Sequence, residues 1–210
     1  MYSLKNMILF VLVITVSPLV GQISADSVAA YVESIQKQRQ GKNIKLMYGE
    51  GTPLTPEQHK VFKGLHYFGP DINYRVTATL EKSEKPAIVE MRTSTERAPE
   101  YIEYGTVQFE FEDNQYSLKV YQSKKMQDAN PNDSTLFIPF RDETSGDETY
   151  GGGRYVDCLL PASGNTLILD FNTAYNPYCA YNPRFSCVIP PEENRLPIAI
   201  KAGEKIYEKH

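Results

Sequence analysis

The 210-residue sequence has no tryptophan, only three cysteines and three histidines, and no block of like charges. His59, His66 and His210 lie far from Cys179 and Cys187, and no C-x-x-C exists, so a zinc site has no support and no metal is expected. Lys and Arg number 22 against 26 Asp and Glu, for a net charge of −4. That balance lacks the basic footprint of a nucleic-acid binder. The one apolar run, Met7 to Val16, falls short of the ~20 residues a membrane-spanning helix needs. What is present is a core: 41% hydrophobic residues, with 15 Tyr and nine Phe that suit sheet faces and wet pockets.

Lys5 followed by that apolar run and Ser17-Pro18 has the form of a secretory leader, with cleavage expected after Gly21 or Ala25. The mature protein is then a single domain from residue 22 to 210, exported to the periplasm or exterior and without a stable membrane span. Asp26-Ser27 begins a helical pattern through Val28, Tyr31, Val32 and Ile35, for which Gly41 reads as the stop. Thr55-Pro56-Glu57-Gln58 predicts a second, short helix opened by a capping box.

Beyond Pro70 the hydrophobic period changes to two. Strands are expected over 72–80, 86–94, 101–105, 107–111, 116–120, 135–140, 154–160, 165–171 and 196–201, with a hairpin at Asp113-Asn114. About eight short strands with turn chemistry between them predict a mainly β fold, an antiparallel sandwich or barrel with one or two N-terminal helices.

Residues 141–194 depart from the rest. They contain no Lys, His or Met, five each of Gly, Pro, Asn and Tyr, and eight acids against three cations, Arg141, Arg154 and Arg184. A merely solvated surface would use Lys, whereas the guanidinium fork suits bidentate contacts to carboxylate or phosphate. Within and around this stretch, Leu136-Phe137-Ile138-Pro139-Phe140-Arg141-Asp142, Glu148-Thr149-Tyr150-Gly151-Gly152-Gly153-Arg154-Tyr155, Asp170-Phe171-Asn172, Ala174-Tyr175-Asn176-Pro177, Asn182-Pro183 and Glu193-Asn194-Arg195-Leu196-Pro197 stand out. In these motifs the sequence resembles the DUF1684 family of uncharacterised bacterial and archaeal proteins. The resemblance extends upstream to Pro53-Leu54 and implies a family but no activity and no cofactor.

Each motif has a plain and a functional reading. Gly151-Gly152-Gly153 between Tyr150 and Arg154 is either a glycine bend entering a strand or a backbone nest for an anion that Arg154 closes. Asp170 and Asn172 project together from a strand end, as a site or as Asx ties for the loop holding Tyr175 and Asn176. Cys179 and Cys187, with seven residues between them, are expected to pair as a disulfide in an exported chain, while in a reducing compartment they would suit a redox or metal role. Cys158 reads as a small buried hydrophobe. The acids around Thr144-Ser145-Gly146 fit a solvated turn better than a calcium loop.

Two functions compete. One is an exported binding protein whose Arg141, Tyr150, Gly151, Gly152, Gly153, Arg154, Asp170, Asn172, Tyr175, Asn176, Asn182 and Asn194 line a polar pocket for a small, anionic organic molecule. The other is a hydrolase in the same pocket, with Asp170 or Glu148 as general base and arginine stabilising negative charge. A third reading makes the whole stretch a structural motif with no ligand.

Overall fold

A computed structural model describes residues 24–207, so the expected leader lies outside the described residues. Six antiparallel strands form one sheet: β1 (Arg75–Glu90), β2 (Glu100–Phe111), β3 (Asn114–Ser123), β4 (Thr135–Phe140), β5 (Arg154–Leu159) and β6 (Thr166–Asp170), in the spatial order β5-β4-β3-β2-β1-β6. The period-two pattern puts Ala78, Leu80, Val107, Phe109, Phe111, Leu118, Val120, Leu136, Ile138, Val156, Leu167 and Leu169 on one buried face. Each buried Phe contributes about 1.5–3 kcal/mol on leaving water, enough to fix the register against a one-residue slip that would invert the faces.

The sheet curls into a half-barrel, and its bend is set at Gly105. Register shifts flank this residue on both sides, between Lys82 and Ala87 of β1 and between Glu103 and Gly105 against β3. A Cβ there would sit 2.1 Å from the Glu81 carbonyl oxygen, so only glycine lets β1 approach. The β2–β3 hairpin turns on Glu112 and Asp113, both with positive φ as a two-residue primed turn requires, one residue earlier than expected.

The mainly β, antiparallel expectation therefore holds, while the described residues form six strands rather than about eight. The 72–80 and 86–94 runs belong to the single strand β1, and 101–105 joins 107–111 in β2. Residues 196–201 do not extend into a strand: Leu196 and Ile198 bond the backbone of Arg141 and Glu143, but at Ile200 both backbone groups turn to side chains. The Ile200 amide donates to Asp142 Oδ2 at 2.8 Å and its carbonyl accepts from Arg154 at 2.9 Å. With Phe171, Ala174, Leu196 and Ala202, this segment closes the core where β5 and β6 do not pair, in place of a second sheet.

Helix α1 (Ala25–Tyr48) is capped by Ser24, whose hydroxyl accepts from the Ser27 amide at 3.2 Å, and it runs straight through Gly41. Tertiary anchors overrule the glycine: Ile35 and Leu46 are buried, and Asn43 accepts from the Leu65 amide at 3.0 Å. Helix α2 (Pro56–Val61) opens with the reciprocal Thr55–Gln58 capping box, and a short α3 (Lys124–Ala129) links β3 to β4.

Candidate functional site

The residues singled out in 141–194 do not converge on one cleft. Arg154 is fully buried, and its guanidinium donates to the carbonyls of Ile200, Ala202 and Glu204 and, at 3.3 Å, to Asp142 Oδ1. Burial lowers its pKa, and Asp142 opposes that shift. Asp142 also accepts from Thr144, Ser145 and the Ile200 amide, so the acidic turn is organised around a buried ion pair. Among the described residues, no group of three or more His, Cys, Asp and Glu could hold a metal ion. The glycine triplet is a bend: Gly153, at φ 90°, lies where a Cβ would come within 2.6 Å of Pro190 and 2.7 Å of the Phe140 carbonyl. Its amide bonds the Tyr150 carbonyl. Gly151 is exposed, and Arg141 is bridged through its backbone to Arg195.

The asparagines are backbone ties. Asn194, fully buried, donates to the carbonyls of Lys119 and Pro139 and accepts from the Lys119 amide. It thereby fills a gap between β3 and β4, which pair directly only at Tyr121 and Phe137; Pro139 has no N–H to continue the ladder. Asn182 holds the Pro53 carbonyl, Asn176 the Lys205 carbonyl, and Asn172 the amide and carbonyl of Asp71. Asp170 caps the turn at Asn172 and accepts the Tyr31 hydroxyl of α1 at 2.9 Å. Glu148 pairs with Lys201. Neither proposed general base lines the cleft that opens beside α1.

That cleft, of about 380 Å³, lies between α1, Thr52-Pro53, Tyr67 and the 172–178 segment. Of the expected residues it takes up Asn172 and Tyr175. Its cations come from α1 instead: Arg39, Lys42 and Lys45 line it with Glu50 as the one carboxylate, beside the apolar Ile35, Leu46, Pro53 and Ala174. Lys42 is paired at 2.8 Å with Glu204, a fully buried carboxylate that also accepts from Tyr181 and the Asn176 amide. Arg39 stacks over the Tyr67 ring, 4.4 Å from guanidinium carbon to centroid, and donates to the carbonyls of Phe68 and Asn172. Two buried polar atoms here have no protein partner, Arg39 Nε and the Tyr67 hydroxyl. Burial, with Glu204 adding to it, raises the Tyr67 phenol, which keeps it a neutral donor.

A family model described as "Protein of unknown function (DUF1684)" matches residues 60–205. The chain belongs to the DUF1684 family. A solved structure similar to it is the solution NMR structure of an uncharacterised protein from gene locus rrnAC0354 of Haloarcula marismortui. That protein is 36% identical over 87% of this chain and 97% of its own, with a TM-score of 0.67. No curated protein matches the chain.

For this DUF1684 chain, the motif residues Arg154 and Asn194 hold the C-terminal segments against the sheet, while Asp142 ties Ile200 and Asn172, Asn176 and Asn182 tie loops to one another. The cationic wall of the cleft lies on α1, ahead of the matched 60–205 stretch. Sequence reasoning missed Arg39, Lys42, Lys45 and Tyr67. The available signal was Gln38, Arg39, Lys42 and Lys45 recurring beside Ile35 and Leu46 at helical spacing, hidden once Gly41 was read as a stop.

Proposed function

We propose that this chain is a binding module for a small organic anion, held in the cleft between α1 and the 172–178 segment. The observation that carries this reading is the pair of unpartnered buried donors, Arg39 Nε and the Tyr67 hydroxyl, beside Lys42 and Lys45. A buried donor without a partner costs roughly 1–3 kcal/mol, and an anion drawn into the cleft could supply the acceptor each lacks. The apolar part of the lining favours an acid with a hydrocarbon body over free phosphate. The hydrolase alternative gains nothing from the cleft, since Asp170 and Glu148 lie outside its lining.

The test is a thermal-shift and calorimetric panel of aliphatic and aromatic carboxylates, inorganic phosphate and neutral sugars. Carboxylates with an apolar body should bind, and sugars should not. Tyr67→Phe removes a buried hydroxyl that bonds nothing in the protein, so it should weaken binding about tenfold, on the order of 1.5 kcal/mol, and raise the unliganded melting temperature or leave it no lower. No carboxylate hit, or a Tyr67→Phe that loses stability without affecting affinity, overturns the proposal.

Export belongs to the same reading and rests on Lys5 and the apolar run that follows it. Ser24 caps α1, so cleavage after Gly21 keeps the cap and cleavage after Ala25 removes it. The mature chain should begin at Gln22 by N-terminal sequencing; an intact Met1 on native protein would refute export.

A further inference from the structure

Apart from the cleft, two sulfurs lie side by side without being bonded. Cys179 and Cys187 are half-buried free thiols, and the Cys179 amide donates to Cys187 Sγ at 3.0 Å. The Tyr150 hydroxyl lies 3.6 Å from Cys179 Sγ. The loop between them is held in place independently of any sulfur–sulfur bond. Ser94 exchanges hydrogen bonds with Cys187 at both backbone groups, and Arg97 donates to the Ser186 carbonyl at 2.7 Å. Tyr155 donates to the carbonyl of Val188. A second cavity, of about 320 Å³, opens beside Cys187 among Arg97, Tyr101, Phe137, Tyr155 and Phe185. Of the two cysteines, Cys187 lines it.

We propose that Cys179 and Cys187 form a redox dithiol that exchanges with disulfides, Cys179 attacking first and Cys187 resolving. In the first step the Cys179 thiolate attacks a sulfur of an external disulfide. The new Cys179 S–S bond forms as the external S–S bond breaks, and one thiolate leaves. In the second step Cys187 gives up its proton and attacks Cys179 Sγ; the internal disulfide forms and the second external thiol departs with that proton. Two electrons pass from the protein dithiol to the external disulfide, which is thereby reduced to two thiols.

The Tyr150 hydroxyl beside Cys179 Sγ favours this order, since a donor there stabilises the Cys179 thiolate. The Cys179 thiol is lowered to about 6, first by the hydrogen bond from Cys187 and further by Tyr150, against the opposing effect of burial. The Cys187 thiol is held above its usual range because its proton is committed to Cys179. Cys158, by contrast, is buried in the core and pushed up to about 12, which makes it inert.

The test uses the reduced full chain and glutathione disulfide near neutral pH. Wild type should lose two of its three thiols to a Cys179–Cys187 link without retaining glutathione. Cys187→Ser should stop at a stable glutathione adduct on Cys179, and Cys179→Ser should react many-fold more slowly. Tyr150→Phe should slow the reaction several-fold and leave the product unchanged. If a serine variant fails to fold, limiting iodoacetamide on wild type with peptide mapping still identifies the attacking thiol, because Cys179 should be labelled first. A glutathione adduct on Cys187 or Cys158, equal labelling of Cys179 and Cys187, or three thiols surviving excess glutathione disulfide would overturn the proposal.

Discussion

At the scale of single residues, the polar side chains of the C-terminal third hold backbone in place. Arg154 spends its guanidinium on three main-chain carbonyls and Asp142, with no part of it exposed. Removing one partner of a buried pair leaves the other charge uncompensated, which costs about 3–5 kcal/mol. Arg154→Ala should therefore lower the urea midpoint by that order, and Arg154→Lys should not restore it, because a single ammonium cannot serve carbonyls on Ile200, Ala202 and Glu204 together. A neutral Arg154→Ala would mean that the C-terminal segment is held by something other than this side chain. The sequence marked these positions as unusual, since Arg without Lys is a departure from ordinary surface. It could not say that the arginine faces inward: the carbonyls it serves belong to a segment more than forty residues away, and main-chain acceptors leave no trace in residue identity.

At the scale of elements, local chemistry was legible where it is satisfied locally. The Thr55–Gln58 capping box and the positive-φ turn of the β2–β3 hairpin are short-range arrangements, and both lie within a residue of where their sequence signals put them. The C-terminal end of α1 was not legible, because Gly41 is a stop signal by propensity and only tertiary contacts of Lys42, Asn43 and Leu46 override it. That conflict has a measurable consequence. A Cβ at Gly41 meets nothing within 4 Å, so Gly41→Ala should raise stability by roughly 0.5–1 kcal/mol through helix propensity alone. Chemical denaturation should show a higher midpoint at unchanged slope. A loss of stability would contradict a continuous helix at that point. Strand merging has a similar origin. Beyond Leu80, β1 leaves the core and residues 81, 82 and 84–88 are exposed, so hydrophobic alternation vanishes although pairing with β2 runs to Lys82 and resumes at Ala87.

At the scale of the whole molecule, a one-sheet half-barrel cannot close on itself, and the gap between β5 and β6 is filled by loops rich in tyrosine. Tyr155 pairs by backbone with Tyr175 across that gap, and the two rings meet edge-on at 5.7 Å. Tyr181 packs with Leu46, Leu54 and Phe62 under α1 and donates to Glu204. Such phenols tie titration to folding. Tyr31, Tyr67, Tyr155, Tyr175 and Tyr181 are all raised above their usual value of 10.0, in each case chiefly by burial, with neighbouring carboxylates or phenols, and for Tyr155 first the Cys187 and Cys179 thiols, adding to it. The unfolded chain begins to release these protons near pH 10, while the folded chain still holds them. Stability is thus fully present below pH 10 and falls as pH rises above it, since the native state there binds more protons than the unfolded one. Absorbance of phenolate should show the exposed tyrosines titrating first and the buried set ionising only together with loss of far-ultraviolet structure. Tyr155 and Tyr181, almost wholly shielded from solvent, should belong to that second step; their smooth titration near pH 10 in a folded chain would mean that the loops closing the half-barrel open to water on their own.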